Sequence, residues 1–212
     1  KVFRKVGLPY TVGYGMTEAA PLLAYAEPWI YVQGSCGKKV DSADVRIDSP
    51  DPEHIAGEIQ AKGLNICSGY FNNPEASEHA FTDDGYLHTG DLGTMDRNGN
   101  ITIRGRSKNM ILSANGQNIY PEEVEAVLNA QDFVVESVVV DRASKLVALV
   151  YLDSEGIKKA GLEAEKVAGI PEQIRKNANK VLPSYSQITK VELVLEPFEK
   201  TPKMSIKRFM YK

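Results

Sequence analysis

The sequence predicts an α+β protein in two parts: a β-rich first half, then a small α+β domain. Three observations lead there. In the first half, short runs alternating apolar and polar residues lie between clusters of Gly, Pro, Asn and Asp. In the second half, two strongly apolar, β-branched runs, "VVESVVVD" (134–141) and "KLVALVYL" (145–152), follow each other across a short polar turn. Two segments with helical apolar spacing, 120–130 and 171–182, stand on either side of that pair.

Each element has its own local reason. "DVRID" (44–48) and "GEIQAKG" (57–63) alternate as half-buried strands do. "NNPEASEHAF" (72–81) reads as a short helix, with Asn73 at the N-cap, Pro74 at the first helical position and acids in the first turn. "MDRNGNITIRG" (95–105) reads as a hairpin turning at Asn98-Gly99, with Ile101 and Ile103 on one strand face. "NMILSA" (109–114) is expected as a buried strand, followed by the turn "NGQN". "YPEEVEAVLNA" (120–130) places Pro and two acids at a helix start and Val124, Val127 and Leu128 on one face. "PEQIRKNANKVL" (171–182) is expected to start a second helix at Pro171, with Ile174, Ala178, Val181 and Leu182 as its stripe. "KVELVLE" (190–196) is a last strand. The domain boundary is expected at the polar stretch "GRSKN" (105–109), giving domains 1–105 and 106–212 with a hinge near 106–108.

Composition narrows the function classes. The net charge of −3 offers no general attraction to nucleic acid or anionic lipid, so any basic segment has to act locally. No apolar run is long enough to span a bilayer, and the first fifteen residues show no signal-peptide pattern. Cys36 and Cys67 are far apart with no CxxC spacing, as expected of buried thiols in a cytoplasmic protein rather than a metal site or a disulfide.

Four stretches look chemical. In "GYGMTE" (13–18), glycines flanking Tyr14 allow close backbone approach, Thr17 offers a hydroxyl, and Glu18 is a hard oxygen ligand of the kind Mg²⁺ accepts beside phosphates. A tight turn with a surface acid is the plainer alternative. In "YLHTGDLG" (86–93), Asp91 can accept two hydrogen bonds from a vicinal diol, or can simply satisfy its own turn. His88 is given no role. In "GRSKNMI" (105–111), the Arg106 fork can reach ligand oxygens, and Lys108 sits where the chain is expected to bend. In "EKTPKMSIKR" (199–208), four cations surround a Thr, a Pro and a Ser, as a solvated tail or as a loop that brings charge to an anion.

Taken together and in this order, these stretches resemble the AMP-forming adenylating enzymes, the superfamily of acyl-CoA synthetases, luciferases and peptide-synthetase adenylation domains. "YGMTE" looks like that family's aromatic-Gly-x-Thr-Glu motif, "GEI" with "GYFNNPEAS…DGYLHTGDLG" its next block, and "ITIRGRSKNMILSANGQNIYPEEVE" its hinge block. The wording "KNMILSANGQNIYPEEVE" and "ANKVLPSYSQITKVEL" looks most like the long-chain fatty acyl-CoA synthetases. The resemblance implies the β-rich last portion of the large adenylating domain followed by a small mobile α+β C-terminal domain. It implies two steps: a carboxylate attacks the α-phosphate of ATP, and the CoA thiol then displaces AMP. ATP, Mg²⁺, CoA and a fatty acid or other carboxylate are the expected ligands. Tyr14 would line the adenine and acyl pocket, and Thr17 would bond the α-phosphate. Glu18 would bind Mg²⁺, Asp91 and Arg106 would hold the ribose, Lys108 would be the hinge, and Gly116 would approach the pantetheine. The small domain would use one face for adenylation and another for thioester formation.

Two departures qualify the resemblance. "TPKMSIKR" matches the long-chain form Thr-Pro-x-x-Lys-x-Lys-Arg with Ser205 where the catalytic lysine is expected. Lys203 or Lys207 then substitutes, or the lysine is absent; in an extended loop Lys203, Ser205 and Lys207 share one side. The Ser/Thr/Gly-rich phosphate loop of the large domain is also absent, and no Gly-x₄-Gly-Lys-Ser/Thr pattern replaces it. The expectation is therefore a C-terminal part that needs the N-terminal part of its own chain and is inactive alone, with contact at a membrane surface left open. Alternatives are an adenylation domain for an amino or aryl acid, a luciferase-like oxidative branch, and a non-catalytic nucleotide-binding or regulatory module.

Overall fold

The computed structural model describes residues 2–113, 115–161 and 163–211. The chain divides into two compact units between Lys108 and Asn109, where the sequence placed the break after residue 105. The first unit opens with a helical turn, α1 (Val2–Lys5). Then β1 (Tyr14–Gly15), β2 (Leu22–Tyr25) and β3 (Lys38–Lys39) pair antiparallel in that order. Next come β4 (Ala43–Asp48), β5 (Gly57–Gly63), the short helix α2 (Pro74–Glu78), β6 (Leu87–Met95) and β7 (Ile101–Arg106), whose four strands form an antiparallel meander in chain order.

The two-residue period of these strands decides what is inside. Ala43, Val45 and Ile47 of β4 point with Ile59 and Ala61 of β5 and Ile101 of β7 into one core, which Leu23 and Ala24 of β2 join. Full burial of Ile59 and Ile101 stabilises the unit by roughly 2–3 kcal/mol each. The short helix is capped as its sequence indicates, the Asn73 side chain accepting from the Ala76 amide at 3.1 Å. Ile103 shares its strand face with Ile101 but is exposed, beside the point where Arg104 is an extra residue in the β6–β7 register. Of the two free cysteines, Cys36 is buried and Cys67 only half-buried, which corrects the expectation that both lie inside.

The second unit contains a two-stranded ribbon of β8 (Ile111–Leu112) and β9 (Asn118–Ile119), then α3 (Pro121–Asn129), β10 (Val134–Arg142), β11 (Lys145–Leu152), α4 (Ser154–Lys159), α5 (Ala164–Asn179) and β12 (Lys190–Val194). β10 and β11 form a hairpin, and β12 lies parallel to β11 after the helical crossover. One sheet face carries Val139, Ala148, Val150 and Val191 against Val124 and Leu128 of α3 and Ile170, Ile174 and Ala178 of α5. The other carries Val138, Val140, Val147 and Leu149 under Phe198, with Ile206 and Tyr211 of the last segment packed beside it. Burial on both faces explains why β10 and β11 read as continuous apolar runs.

Besides Val181, expected in the stripe of the second helix but exposed beyond its end at Asn179, three expectations for this unit need correction. The strand expected over 109–114 shrinks to Ile111–Leu112, outside the main sheet and with Leu112 exposed; Ala114 lies outside the described residues. The helix expected from Pro171 begins at Ala164 and carries Pro171 inside it. Pro171 cannot donate to the Val167 carbonyl, yet Ile170, Ile174 and Ala178 bury one continuous stripe across it, and packing outweighs the lost bond. The third is α4, which was not expected; its N-cap Asp153 accepts from the Gly156 amide at 2.9 Å. Among the described residues no helix is long and apolar enough to cross a membrane.

Candidate functional site

The first unit gathers three of the expected residues around one carboxylate. Along β5 and β6 the partners step from Glu58–Leu92 to Gln60–His88, so three residues of β6, Thr89 to Asp91, stand against Ile59 of β5. This bulge, with Gly90 at φ +70°, turns Asp91 toward the core side of its strand. The Asp91 side chain is 9% exposed. Its Oδ2 accepts from the Tyr14 hydroxyl at 2.8 Å, and its Oδ1 lies 2.8 Å from Arg106 Nε. Arg106, half exposed, also donates from Nη1 to the Thr89 carbonyl at 3.4 Å. Arg106 is thus the last residue of β7, directly opposite Asp91, rather than a residue beyond the strand. Burial above all, with the Asp91 charge beside it, holds the Tyr14 phenol well above its usual range, so Tyr14 is a hydrogen-bond donor at neutral pH.

Two residues the motifs did not reveal fix this bulge. The Thr89 hydroxyl donates to the Ile59 carbonyl at 2.6 Å and accepts from the Asp91 amide at 3.1 Å. Glu58 accepts from the Gly90 amide at 3.0 Å through Oε1 and meets His88 Nδ1 at 2.6 Å through Oε2. Both stand inside quoted stretches, Thr89 two residues before Asp91 on one strand face and Glu58 in "GEI", but only the bulge brings Glu58 to Gly90 and His88.

Thr17 and Glu18 lie on a 3₁₀ turn after β1. Gly15 does not leave room for a ligand: a Cβ there would collide with the Pro21 carbonyl, so its missing side chain serves the β1–β2 pairing. Thr17 is exposed, and Glu18, half-buried, accepts from the Tyr70 hydroxyl at 3.1 Å. Asn65 pins the turn by donating to the Ala19 and Leu22 carbonyls at 2.8 and 3.0 Å. No group of three or more His, Cys, Asp or Glu side chains suited to a metal occurs among the described residues. Glu18 therefore fits a Mg²⁺ that brings its other oxygens with it, as phosphates do, and not a cage made by the protein.

Lys108 is exposed on the 3₁₀ turn Ser107–Asn109, at the end of the first unit. Gly116 sits at φ +74° in the β8–β9 turn, with open space where a side chain would be. Its amide donates to the Ser113 carbonyl at 2.9 Å.

The basic stretch near the C-terminus is a hairpin, not an extended loop. Thr201 and Met204 close a turn at 2.8 Å, Met204 takes φ +61°, and Lys200 bridges Ile206. Lys203 on the turn, and Ser205 and Lys207 beyond it, are therefore not spaced as in one extended strand. Lys203 is exposed on the turn and pairs with no carboxylate among the described residues. Lys207 lies 3.6 Å from Glu199, and Ser205 is exposed with its amide on the Thr201 hydroxyl at 3.3 Å. The strands leading from the turn are anchored: Lys200 pairs with Glu136 at 2.7 Å, and Arg208 pairs with Glu125. Burial pushes the Glu125 carboxyl up to about 7 against the downward pull of Arg208.

The chain belongs to the AMP-forming adenylating enzymes: residues 108–211 match the family model described as the AMP-binding enzyme C-terminal domain. Among curated relatives, 4-coumarate–CoA ligase 5 of Oryza sativa is 43% identical over 60% of this chain and 25% of its own length. Long-chain-fatty-acid–CoA ligase FadD15 of Mycobacterium bovis is 32% identical over 97% of this chain and 36% of its own. The solved O-succinylbenzoate coenzyme A synthetase of Bacillus subtilis, in complex with AMP, superposes with a TM-score of 0.84 at 28% identity, covering all of this chain and 42% of that one. The chain thus spans between a quarter and about a third of the curated relatives it matches.

Proposed function

We propose that this chain is the C-terminal part of an AMP-forming acid–CoA ligase, and that its acid is a fatty acid. The observation that carries the reading is the Asp91 carboxylate, fixed by Tyr14 and Arg106 on a strand bulge. A carboxylate so oriented accepts from two neighbouring hydroxyls, the geometry a ribose offers. Thr17 bonds the α-phosphate, and Glu18 would hold a Mg²⁺, which when bound would supply neutralisation of charge on the phosphate oxygens. Lys203 supplies the cation from the second unit, and Ser205 leaves that task to it. In the first step a carboxylate oxygen bonds to the α-phosphorus, the α–β bridging bond breaks, and pyrophosphate leaves with the electron pair. In the second the CoA sulfur, having lost its proton, bonds to the acyl carbon, and AMP leaves. Gly116 lets the backbone of the second unit come close to the pantetheine.

A fatty acid is favoured because the FadD15 match runs over nearly the whole chain and the C-terminal stretch has the long-chain wording. An aryl acid is the second reading, favoured by the higher identity to 4-coumarate–CoA ligase 5. The test is ATP–pyrophosphate exchange with saturated fatty acids, 4-coumarate and 2-succinylbenzoate, using the 212-residue chain and the longer protein extended upstream. Exchange with fatty acids by the longer protein alone is the expected result. Exchange confined to 4-coumarate or 2-succinylbenzoate replaces the acid; exchange by the short chain refutes the need for an N-terminal part. ATP binding without exchange with any acid leaves the non-catalytic module standing.

A further inference from the structure

The C-terminal hairpin emerges from two carboxylates, Glu125 buried and Glu136 half-buried, and the motifs gave neither a role. Glu136 lies on β10 with the parity of Val138 and Val140, hence on the face that Phe198, Ile206 and Tyr211 cover. Its side chain is 14% exposed, in an otherwise apolar layer. Oε1 accepts from the Phe198 amide at 3.2 Å, and Oε2 lies 2.7 Å from Lys200 Nζ, so this one acid fixes both backbone and side chain where the chain enters the hairpin. Glu125 lies on α3 among residues of its buried stripe. Its Oε1 accepts from the Val139 amide at 2.6 Å, and its Oε2 pairs with Arg208 where the chain leaves the hairpin. Val139 belongs to β10, an edge strand of its sheet, so Glu125 ties a strand edge, a helix and the hairpin exit together.

Two more contacts make the base rigid. The Tyr211 hydroxyl accepts from the Glu199 amide at 2.7 Å, and the Tyr211 ring meets Phe198 edge-on at 5.0 Å. The turn itself, Thr201 to Ser205, is exposed apart from a half-buried Thr201, and its bonds are made within the turn. A buried charge pair is a poor source of stability, since desolvation offsets most of the attraction, but it fixes geometry well. Two such pairs at the two feet of one hairpin are an arrangement for holding its tip in place.

We propose that Glu125 and Glu136 are positioning residues for the hairpin cation: anchored on α3 and β10, they set where Lys203 stands, through Arg208 and Lys200. This rests on the functional reading above, in which Lys203 acts in adenylation, and it predicts a selective defect. In the full-length protein, Glu125→Gln and Glu136→Gln keep the shape and the acceptor for a backbone amide but remove the charge. Each is expected to lower kcat of ATP–pyrophosphate exchange about 10- to 100-fold, the scale of a displaced reacting group. Thioester formation from a supplied acyl-adenylate and CoA is expected to stay within about twofold, because it does not need the hairpin cation. Hydrogen exchange of the amides of 201–207 is expected to accelerate in both variants, with β11 amides unchanged. Equal losses in both half-reactions, or an unaltered exchange rate with unaltered amides, overturn the proposal and leave the acids as parts of the fold. Should the wild-type protein catalyse no exchange, the functional reading fails by itself, and the amide measurement alone decides whether the two acids hold the hairpin.

Discussion

The two units solve opposite problems with charge. In the first, Asp91 is nearly buried and is held by its neighbours, so what the site offers is a fixed direction. In the second, Lys203 is exposed and pairs with nothing described, while the acids around it hold the feet of its hairpin. Recognition of a neutral diol needs an acceptor of known orientation, which a strand bulge provides. Delivery of a cation needs a long side chain with its charge in reserve, which a turn provides only if its base is firm. The difference teaches that mobility and precision are separated by a few residues: the tip carries the charge and the base carries the order.

The largest expected effect tests the first half of that contrast. Asp91→Ala leaves the Tyr14 hydroxyl facing a cavity and the half-exposed Arg106 guanidinium to water, and the unsatisfied buried hydroxyl costs about 1–3 kcal/mol. Exchange activity of the full-length protein is expected to fall by about 10²–10³ or more, mostly as a rise in KM for ATP, read by steady-state kinetics. A drop in kcat alone breaks the assignment of Asp91 to binding. Next comes the hairpin. Lys203→Ala is expected to lower kcat of exchange by about 10²–10³, the usual worth of one preorganised charge, with Lys207→Ala well below that because Lys207 already faces Glu199. The reverse order makes Lys207 the acting cation.

Tyr14→Phe should be milder. It removes one hydrogen bond to Asp91 and keeps the ring, so a loss of about 1–3 kcal/mol in ATP affinity is expected by calorimetry. The smallest effect concerns pH. The folded Glu125 carboxyl keeps its proton to about 7, whereas the unfolded group releases it near 4.5. Between those values the folded state holds the extra proton, so this group's contribution to stability falls as pH rises. Urea midpoints of wild type and Glu125→Gln at pH 5 and pH 8 are expected to show wild type losing ground to the variant at the higher pH. A constant difference means that Arg208 has already ionised Glu125 across the whole range.

Much was legible from local chemistry. The two-residue alternation of 44–48 and 57–63, the Asn73-Pro74 helix start and the continuous apolar runs of β10 and β11 all record burial that a strand or helix imposes on its own residues. The residues around the nucleotide reading were legible as types in an order: Tyr14, Asp91 and Arg106 are far apart in sequence, and the structure places them within hydrogen-bond reach. What escaped depended on partners. Glu125 closes the quoted hinge block and sits between Val124 and Leu128 on the buried side of α3, an acid in an apolar stripe, yet its partner Arg208 lies far along the chain. Glu58 lies inside the quoted "GEI" without a role, and nothing near Glu136 announced one.

By itself the sequence determined the class of fold, the order of the main strands β4, β5, β10, β11 and β12 around the helices α3 and α5, and the kinds of functional group available, because propensity, period and capping act over a few residues. Only the tertiary structure decided the length of α5 across Pro171, the exposure of Leu112, the aim of Asp91 and the anchoring of the hairpin. Most of those are settled by partners distant along the chain: a packed stripe that outweighs a missing donor, a register shift between strands, or a carboxylate such as Glu125 that finds its cation 83 positions away.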